Sequence, residues 1–457
     1  MIVCSHRGPY RFEHTDAGAF VAHRGAGGLV SALSPLLAST SDATWVAAAM
    51  SDDDRAAVRA GATALLDDVD LQLLDLDPAV HRMHYEVVSN GVLWFLHHGI
   101  FDHTRRPRFD MRFHEAWDAY VSVNQTFAAA VAKRARERDI VLVQDYQLSL
   151  VPANLRVSRP DLRVVHFTHT PFAGPDDIRV LPDDAARSMC GSLASVPTGF
   201  HTTRWSDNYR RSAHAVLTRG TTVAPSFAAS LGPDAPSLEA VAASRSAREA
   251  AELLADTVGD RLVIMRTDRI EPSKNIVRGF LAFDRLLEAR RGLRGRVVFV
   301  AMVYPSRQGL AEYLAYGNEV EQVVARVNDR WATRDWVPIL MDDRDDFARS
   351  VAGMQRYDVL FVNPLRDGLN LVAKEGPILN NRDGVLLLSP EAGAWDELQD
   401  AAIAVHPYDI EHAAGALDQA LSMPLDERAA LATKLRELAI ARTPSDWLAD
   451  LVRHAGE

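Results

Sequence analysis

The sequence predicts an α/β protein made of two consecutive halves, each a parallel sheet covered by helices, facing one another across a cleft. Three observations carry this expectation. Short apolar runs alternate with helical patterns nearly from end to end. The alternation breaks once, in an Ala-, Ser- and Pro-rich stretch from Pro225 to Asp260, and then resumes. No short-period repeat is visible, and 457 residues suit two or three domains of ordinary size.

In the first half the strand candidates are "MIVCS", "TWVAAA", "LQLLDLD", "IVLVQD" and "LRVVHFT". Helices are expected over "GLVSALSPLLA" and over the long "RFHEAWDAYVSVNQTFAAAVAKRARER", where apolar residues recur every three or four positions. The stretch after Pro225 is expected to connect the halves and then form an amphipathic helix. A second series follows: "RLVIMRT", "GRVVFVAMVY", "WVPILM", "DVLFVN", "GVLLLS" and "AIAVH". The closing "TPSDWLADLVRHA" is expected to be a capped helix crossing back to the first half. The expected domains are therefore 1–225 together with 445–457, and 226–444.

Bulk properties narrow the function. A net charge of −11 disfavours non-specific binding to nucleic acid or anionic membrane, while leaving room for a local cationic pocket. Two cysteines, Cys4 and Cys190, cannot form a disulfide framework or a thiolate zinc site. No stretch approaches the ~18 apolar residues of a membrane span, and the N-terminus makes a poor signal peptide. A cytoplasmic protein is expected.

Chemistry concentrates where strands end, the usual ligand position in open parallel sheets. In "FVNPLRDGLNLVAKE", Pro364 and Gly368 stop the strand and free the backbone, and a helix N-terminus there suits an anion. Glu375, one to two turns along, is placed to accept bonds from ribose hydroxyls. A plain turn with a capped helix is the alternative for that stretch alone. Arg269 and Lys274 in "MRTDRIEPSKN" are paired cations suited to a diphosphate, and Arg307 in "YPSRQG" follows a third strand. In the first half Arg7 follows the first strand, "HRGAGGLVSAL" offers a glycine loop at Gly27 and Gly28, and Asp145 and His169 stand at strand ends.

Taken together these residues resemble the trehalose-6-phosphate synthases, retaining glycosyltransferases with twin Rossmann-like domains (the GT-B fold). The likeness runs from about Ile2 to Trp447. Its most specific piece is "PLRDGLNLVAKE"; Arg7, Gly27-Gly28, "YEVVSNGVLW" with Tyr85 and Trp94, "QDYQLSLVP" with Asp145, "HTPF" with His169, the Arg269/Lys274 pair and Arg307 complete it. The resemblance implies a nucleotide-glucose donor in the second domain and a glucose 6-phosphate acceptor in the first. Arg269 and Lys274 would bind the donor diphosphate. Asp367, with Gly368, Leu369, Asn370 and Leu371, would hold the sugar and phosphates, and Glu375 the ribose; Gly27 and Gly28 would also line the donor. Arg7, Tyr85, Trp94 and Arg307 would form the acceptor phosphate pocket, with Asp145 and His169 lining the sugars.

Three departures bear on detail. "RIEPSKN" stands where R-L-D-Y-x-K-G is commoner, with Arg266 just before it; "QDYQ" replaces H-D-Y-H; and Ala48 occupies the place of a second Trp. The first points to a changed nucleotide base, so GDP-glucose is expected to serve at least as well as UDP-glucose. Rival readings are a relative using another acceptor, such as glycerol 3-phosphate or an amino-cyclitol phosphate, and a silent sugar-phosphate sensor. The aspartates of "SDDDR" and "MDDRDDF" are expected to cap helices, and His97, His98 and His103 are set aside as metal ligands. No metal and no cofactor is expected. The partners expected are donor and acceptor alone, with self-association left open.

Overall fold

The structure, a computed structural model, describes residues 1–15, 18–24, 33, 43–62 and 70–456. The chain divides into two compact units, Met1–Leu231 with Pro444–Glu457, and Gly232–Thr443.

In the first unit, β1 (Ile2–Arg7) leads into an antiparallel hairpin, β2 (Tyr10–His14) and β3 (Phe20–Arg24). Then come β4 (Thr44–Ala48), β5 (Asp70–Leu74), β6 (Ile140–Gln144), β7 (Arg163–Thr168), β8 (Thr198–Phe200) and β9 (Ser226–Ala228). Apart from the hairpin these form one parallel sheet in the order β5-β4-β1-β6-β7-β8-β9. Val3 lies between Trp45 and Leu142, all fully buried, which is why the central strands are continuous apolar runs rather than alternating ones. The second unit holds β10 (Leu262–Ile270), β11 (Val297–Pro305), β12 (Ile339–Asp342), β13 (Val359–Val362), β14 (Val385–Leu388) and β15 (Ile403–Ala404), again all parallel, in the order β12-β11-β10-β13-β14-β15. Its core includes edge-on contacts of Phe299 with Phe280, Phe283 and Phe361.

Each sheet reverses its strand order beside its first strand, at β1/β6 and at β10/β13. Chains leaving adjacent strands in opposite directions open a crevice beyond their C-terminal ends, where ligands of doubly wound sheets bind. Arg7 and Asp145 stand at one such point; Arg269, Lys274 and Asp367 stand at the other.

Every strand named from the sequence forms. The hairpin, β8 and β9 were not expected. The division expected after residue 225 moves to after Leu231, because Ser226–Ala228 pairs with β8 as an edge strand of the first sheet. Two helices, Ala235–Ala242 and Arg245–Val258, follow in place of one. The helix expected over "GLVSALSPLLA" lies outside the described residues except for Leu33. Ser51 caps the helix Asp52–Arg59 in a reciprocal box with Asp54, and Asp346 caps Phe347–Arg356, as the aspartate runs imply. No described helix is long and apolar enough to cross a membrane.

The terminal helix Pro444–His454 packs on the first unit: Trp447 is fully buried, 5.2 Å edge-on to Phe167, and His454 stacks on Phe227 at 3.9 Å. Trp447→Ala is expected to destabilise the first unit by about 3–5 kcal/mol in urea unfolding; a loss under ~1 kcal/mol would mean that the indole carries no packing energy.

Candidate active site

The second unit gathers its cations at the β10/β13 reversal. β10 runs further than the sequence implied, through Ile270, so Arg269 lies in the strand and not in the turn. Strand periodicity then sorts the charges. Arg266 and Asp268 share one face and Arg269 and Glu271 the other. Arg266, fully buried, donates to Asp268 Oδ2 (2.8 Å), to the carbonyl of Lys274 (2.9 Å) and to Asn363 Oδ1 (3.3 Å). On the other face, buried Glu271 holds Arg269 (3.2 Å) and Arg307 (3.7 Å) and accepts from Ser306 Oγ (3.2 Å). Arg307, at a left-handed φ of 47°, also donates to the Tyr313 hydroxyl.

A single helical turn, Pro272–Lys274, returns Lys274 over the strand end, and Asn275 at φ 58° starts the helix Ile276–Ala289. Lys274 Nζ lies 2.7 Å from Asp367 Oδ2 and 3.8 Å from Asp268 Oδ1. Burial pulls its pKa down, but Asp367, Asp268 and Glu271 outweigh it and the net shift is upward. The pKa of Asp268 also moves up, because there desolvation exceeds the pull of Arg266 and Lys274.

Asp367 sits in an irregular segment tied to the loop after β14: its N–H donates to the carbonyl of Glu391 (3.0 Å), and the N–H of Gly393 donates back (3.2 Å). Asn370, at φ 76°, donates to Asp367 Oδ2 (3.1 Å) and accepts from the N–H of Ala373 (3.3 Å), so Gly368, Leu369, Asn370 and Leu371 stay irregular and the helix runs only over Val372–Leu379. Glu375 lies in its first turn, and burial raises its carboxyl to about 7. Lys374 turns the other way, to Glu397 (2.8 Å).

In the first unit Arg7, exposed at the end of β1, donates to the Tyr85 hydroxyl (2.9 Å). Tyr85 lies in a wide π-helical segment, Met83–Leu93, a geometry that recurs at functional sites. Trp94 follows it and is 2% exposed, packed on Phe95 and 4.2 Å from His98. Asp145, at φ 70°, accepts from the N–H of His169 (3.1 Å), joining the ends of β6 and β7. His169 contacts Gln144 Oε1 (2.9 Å) and His201 Nε2 (3.2 Å), and burial holds its pKa near 3. It is therefore a neutral hydrogen-bonding group at physiological pH. Gly27 and Gly28 lie outside the described residues.

Sequence reasoning missed Asp268 and Glu271, which order the cations. The alternation R-T-D-R-I-E carried that signal, since charges two apart in a strand share a face. It also missed His6, His81 and His84, which come together from positions too far apart to show a spacing pattern. His97 and His98 have ordinary partners, the N–H of Ala173 and the carbonyl of Trp94.

The sequence profile of glycosyltransferase family 20 matches residues 1–457. The chain belongs to that family. It is 32% identical to a trehalose-6-phosphate synthase of Mycobacterium avium (strain 104), over 98% of this chain and 93% of that protein. It is 29% identical to the alpha,alpha-trehalose-phosphate synthase [UDP-forming] A of Dictyostelium discoideum, over 98% of this chain but only 61% of the relative's length. Among solved structures it is similar to an alpha,alpha-trehalose-phosphate synthase (UDP-forming) of Burkholderia xenovorans in complex with glucose-6-phosphate: TM-score 0.85, 27% identity, 100% of this chain and 99% of that one. The two-domain GT-B fold of family 20 is thus the fold of this chain.

Within this family-20 chain, Arg266→Met leaves Asp268 buried without its closest cation. A loss of about 3–5 kcal/mol in stability is expected, with Arg266→Met/Asp268→Leu recovering part of it; equal losses in single and double variants would show the pair to be uncoupled.

Proposed function

We infer that the chain transfers glucose from a nucleoside diphosphate glucose to glucose 6-phosphate, giving α,α-trehalose 6-phosphate with retention at the anomeric carbon. The observation that carries this is the Arg269–Lys274–Asp367 cluster at the strand reversal of the second sheet, in a family-20 chain whose relatives bear that activity in their names. Arg269 and Lys274 offset the charge that builds on the departing diphosphate, the work a divalent cation does in other transferases. Asp367 and the backbone of Gly368, Leu369, Asn370 and Leu371 hold the glucose, and Glu375 the ribose. Arg7 and Tyr85 take the acceptor phosphate. Asp145 and His169 line the reacting sugars, His169 donating or accepting as a neutral imidazole. No enzyme carboxylate attacks; a phosphate oxygen of the leaving group receives the acceptor's proton on the same face of the sugar. Water is the competing nucleophile, and excluding it is part of the task.

UDP-glucose is the donor that the relatives' names favour. The altered stretch Arg269–Asn275 motivates GDP-glucose as a second donor. The deciding experiment offers UDP-, GDP- and ADP-glucose with glucose 6-phosphate, glycerol 3-phosphate and an amino-cyclitol phosphate. The expected result is nucleotide release that depends on glucose 6-phosphate and yields an α,α-linked product. Release with no acceptor preference, or none with any pair, overturns the assignment.

Two variants report on separate roles. Lys274→Met removes a charge-assisted contact to the diphosphate and should lower kcat/KM for the donor by about 1.5–3 kcal/mol, roughly 10- to 150-fold. Arg7→Ala should raise the acceptor KM while leaving nucleotide affinity unchanged; a parallel loss in both would remove Arg7 from the acceptor site.

Glu375 gives a pH signature. Its carboxyl titrates near 7, so the carboxylate that accepts from ribose is lost as pH falls through that value. Donor KM should rise below pH 7 and Glu375→Gln should flatten the profile. In the free protein the sign is opposite: the folded pKa lies above the ordinary glutamate value of 4.5, so this group's contribution to stability is full below 4.5 and is lost as pH rises through about 7. Thermal melts of the two proteins at pH 6 and pH 8 separate these effects. A wild-type profile that Glu375→Gln leaves unchanged removes Glu375 from the ribose.

A further inference from the structure

We propose that His6, His81 and His84 form a binding site for one divalent transition-metal ion of the zinc class. His6 lies in β1, His81 in the helix Pro78–Arg82 and His84 in the π-helical segment that follows. One ring nitrogen from each lies within 4.8 Å of the other two, and all three residues are buried.

The hydrogen bonds leave lone pairs unused. His84 Nε2 contacts the carbonyl of Gln147 at 3.0 Å. A carbonyl only accepts, so Nε2 carries the proton and Nδ1 is bare. That Nδ1 is buried and has no hydrogen-bond partner. His6 Nε2 and His81 Nε2 lie 2.8 Å apart, a contact in which one ring donates and the other presents its lone pair. Unpartnered buried nitrogens are costly unless something meets them, and a cation meets lone pairs.

Metal ligation requires the neutral ring. Burial is the leading cause that lowers all three pKa values, with the neighbouring imidazoles adding to it at His6 and His84 and with Arg55 and Arg7 adding to it at His81: well below 6.5 for His6, to about 4 for His81 and to about 3 for His84. Each ring therefore offers a lone pair at physiological pH without first losing a proton. The one shared Nε2 proton moves to Nδ1 of its own ring, so binding releases none. Zinc–imidazole bonds of about 2.1 Å set tetrahedral ligands about 3.4 Å apart. The His6–His81 pair must open by ~0.6 Å, and water fills the fourth position. Arg7 and Arg55 are the charged groups acting on these rings, and both oppose a cation; Asp52 holds Arg55 at 2.5 Å and offsets part of that. An all-imidazole set suits Zn²⁺, Co²⁺, Ni²⁺ or Cu²⁺ over Mg²⁺ or Ca²⁺.

The ion's role is structural. His6 adjoins Arg7 and stacks flat on Tyr85, ring centres 4.5 Å apart at 9°. An ion here fixes the end of β1 to the segment carrying Tyr85, and no step of glucosyl transfer passes through it.

The test uses the full chain, stripped with a chelator, dialysed and titrated with Co²⁺. One Co²⁺ per chain with visible ligand-field bands is expected, displaced by one equivalent of Zn²⁺, together with a rise in melting temperature in Zn²⁺. His81→Gln and His84→Gln should each weaken Co²⁺ binding at least tenfold, and His103→Gln should leave it unchanged. X-ray absorption of the wild-type Co²⁺ form needs no variant to fold and should show a shell of three imidazole nitrogens. Absence of a stoichiometric band, a shell of oxygen donors only, or full-strength binding by His84→Gln overturns the proposal and leaves a hydrogen-bonded imidazole stack.

Discussion

The ion pair between Lys274 and Asp367, 93 positions apart in sequence, is the contact on which the second unit's chemistry rests. A nearly buried ammonium without a counter-charge would lose its proton or unfold its surroundings. Asp367 prevents this and, by accepting from Asn370, also fixes the irregular segment before Val372–Leu379. One carboxylate thereby sets both a cation and the backbone beside it. Asp268 has a matching place between Arg266 and Lys274, and Glu271 between Arg269 and Arg307. Each cation is held in place by a carboxylate of its own unit, so little ordering entropy would oppose an anion proposed to bind there.

Much of this architecture was legible in the sequence, for a physical reason. Central parallel strands are buried on both faces, so Ile2–Arg7, Ile140–Gln144 and Val359–Val362 stand out as apolar runs against amphipathic helices. The hairpin strand Tyr10–His14 did not, because every residue but Phe12 meets solvent at least in part and Arg11 and Glu13 are charged, so nothing in "YRFEH" marks a strand. Ser226–Ala228 was lost in a Pro-, Ala- and Ser-rich stretch because a three-residue edge strand takes its identity from its neighbour β8. In the site, Lys274 and Asp367 were singled out separately, but their contact depends on β10 and β13 being neighbours, which composition does not state. Arg307 was grouped with the acceptor residues by resemblance; its tie through Glu271 to Arg269 is a fact of the β10–β11 register, where Arg269 lies beside Tyr304.

Desolvation governs the buried ionisable groups of both units, except where several carboxylates act on one cation together. His84, His97, His166 and His169 are buried and all shift downward, to between about 3 and 4, with desolvation the leading cause in each. Lys274 feels the same desolvation and shifts upward. Lys374 separates the two explanations. It is fully buried, has one carboxylate at 2.8 Å, and still shifts downward. One close carboxylate therefore does not offset burial in this unit; Lys274 holds its charge because Asp367, Asp268 and Glu271 act on it together. The same reasoning explains why Glu375, near no such cation, drifts up to about 7. A surplus of carboxylate around Lys274 and a lack of counter-charge around Glu375 leave the first charged and the second poised. Two ionisable groups of one unit thus answer to pH differently: a cation that stays charged, and a hydrogen-bond acceptor whose strength follows the proton.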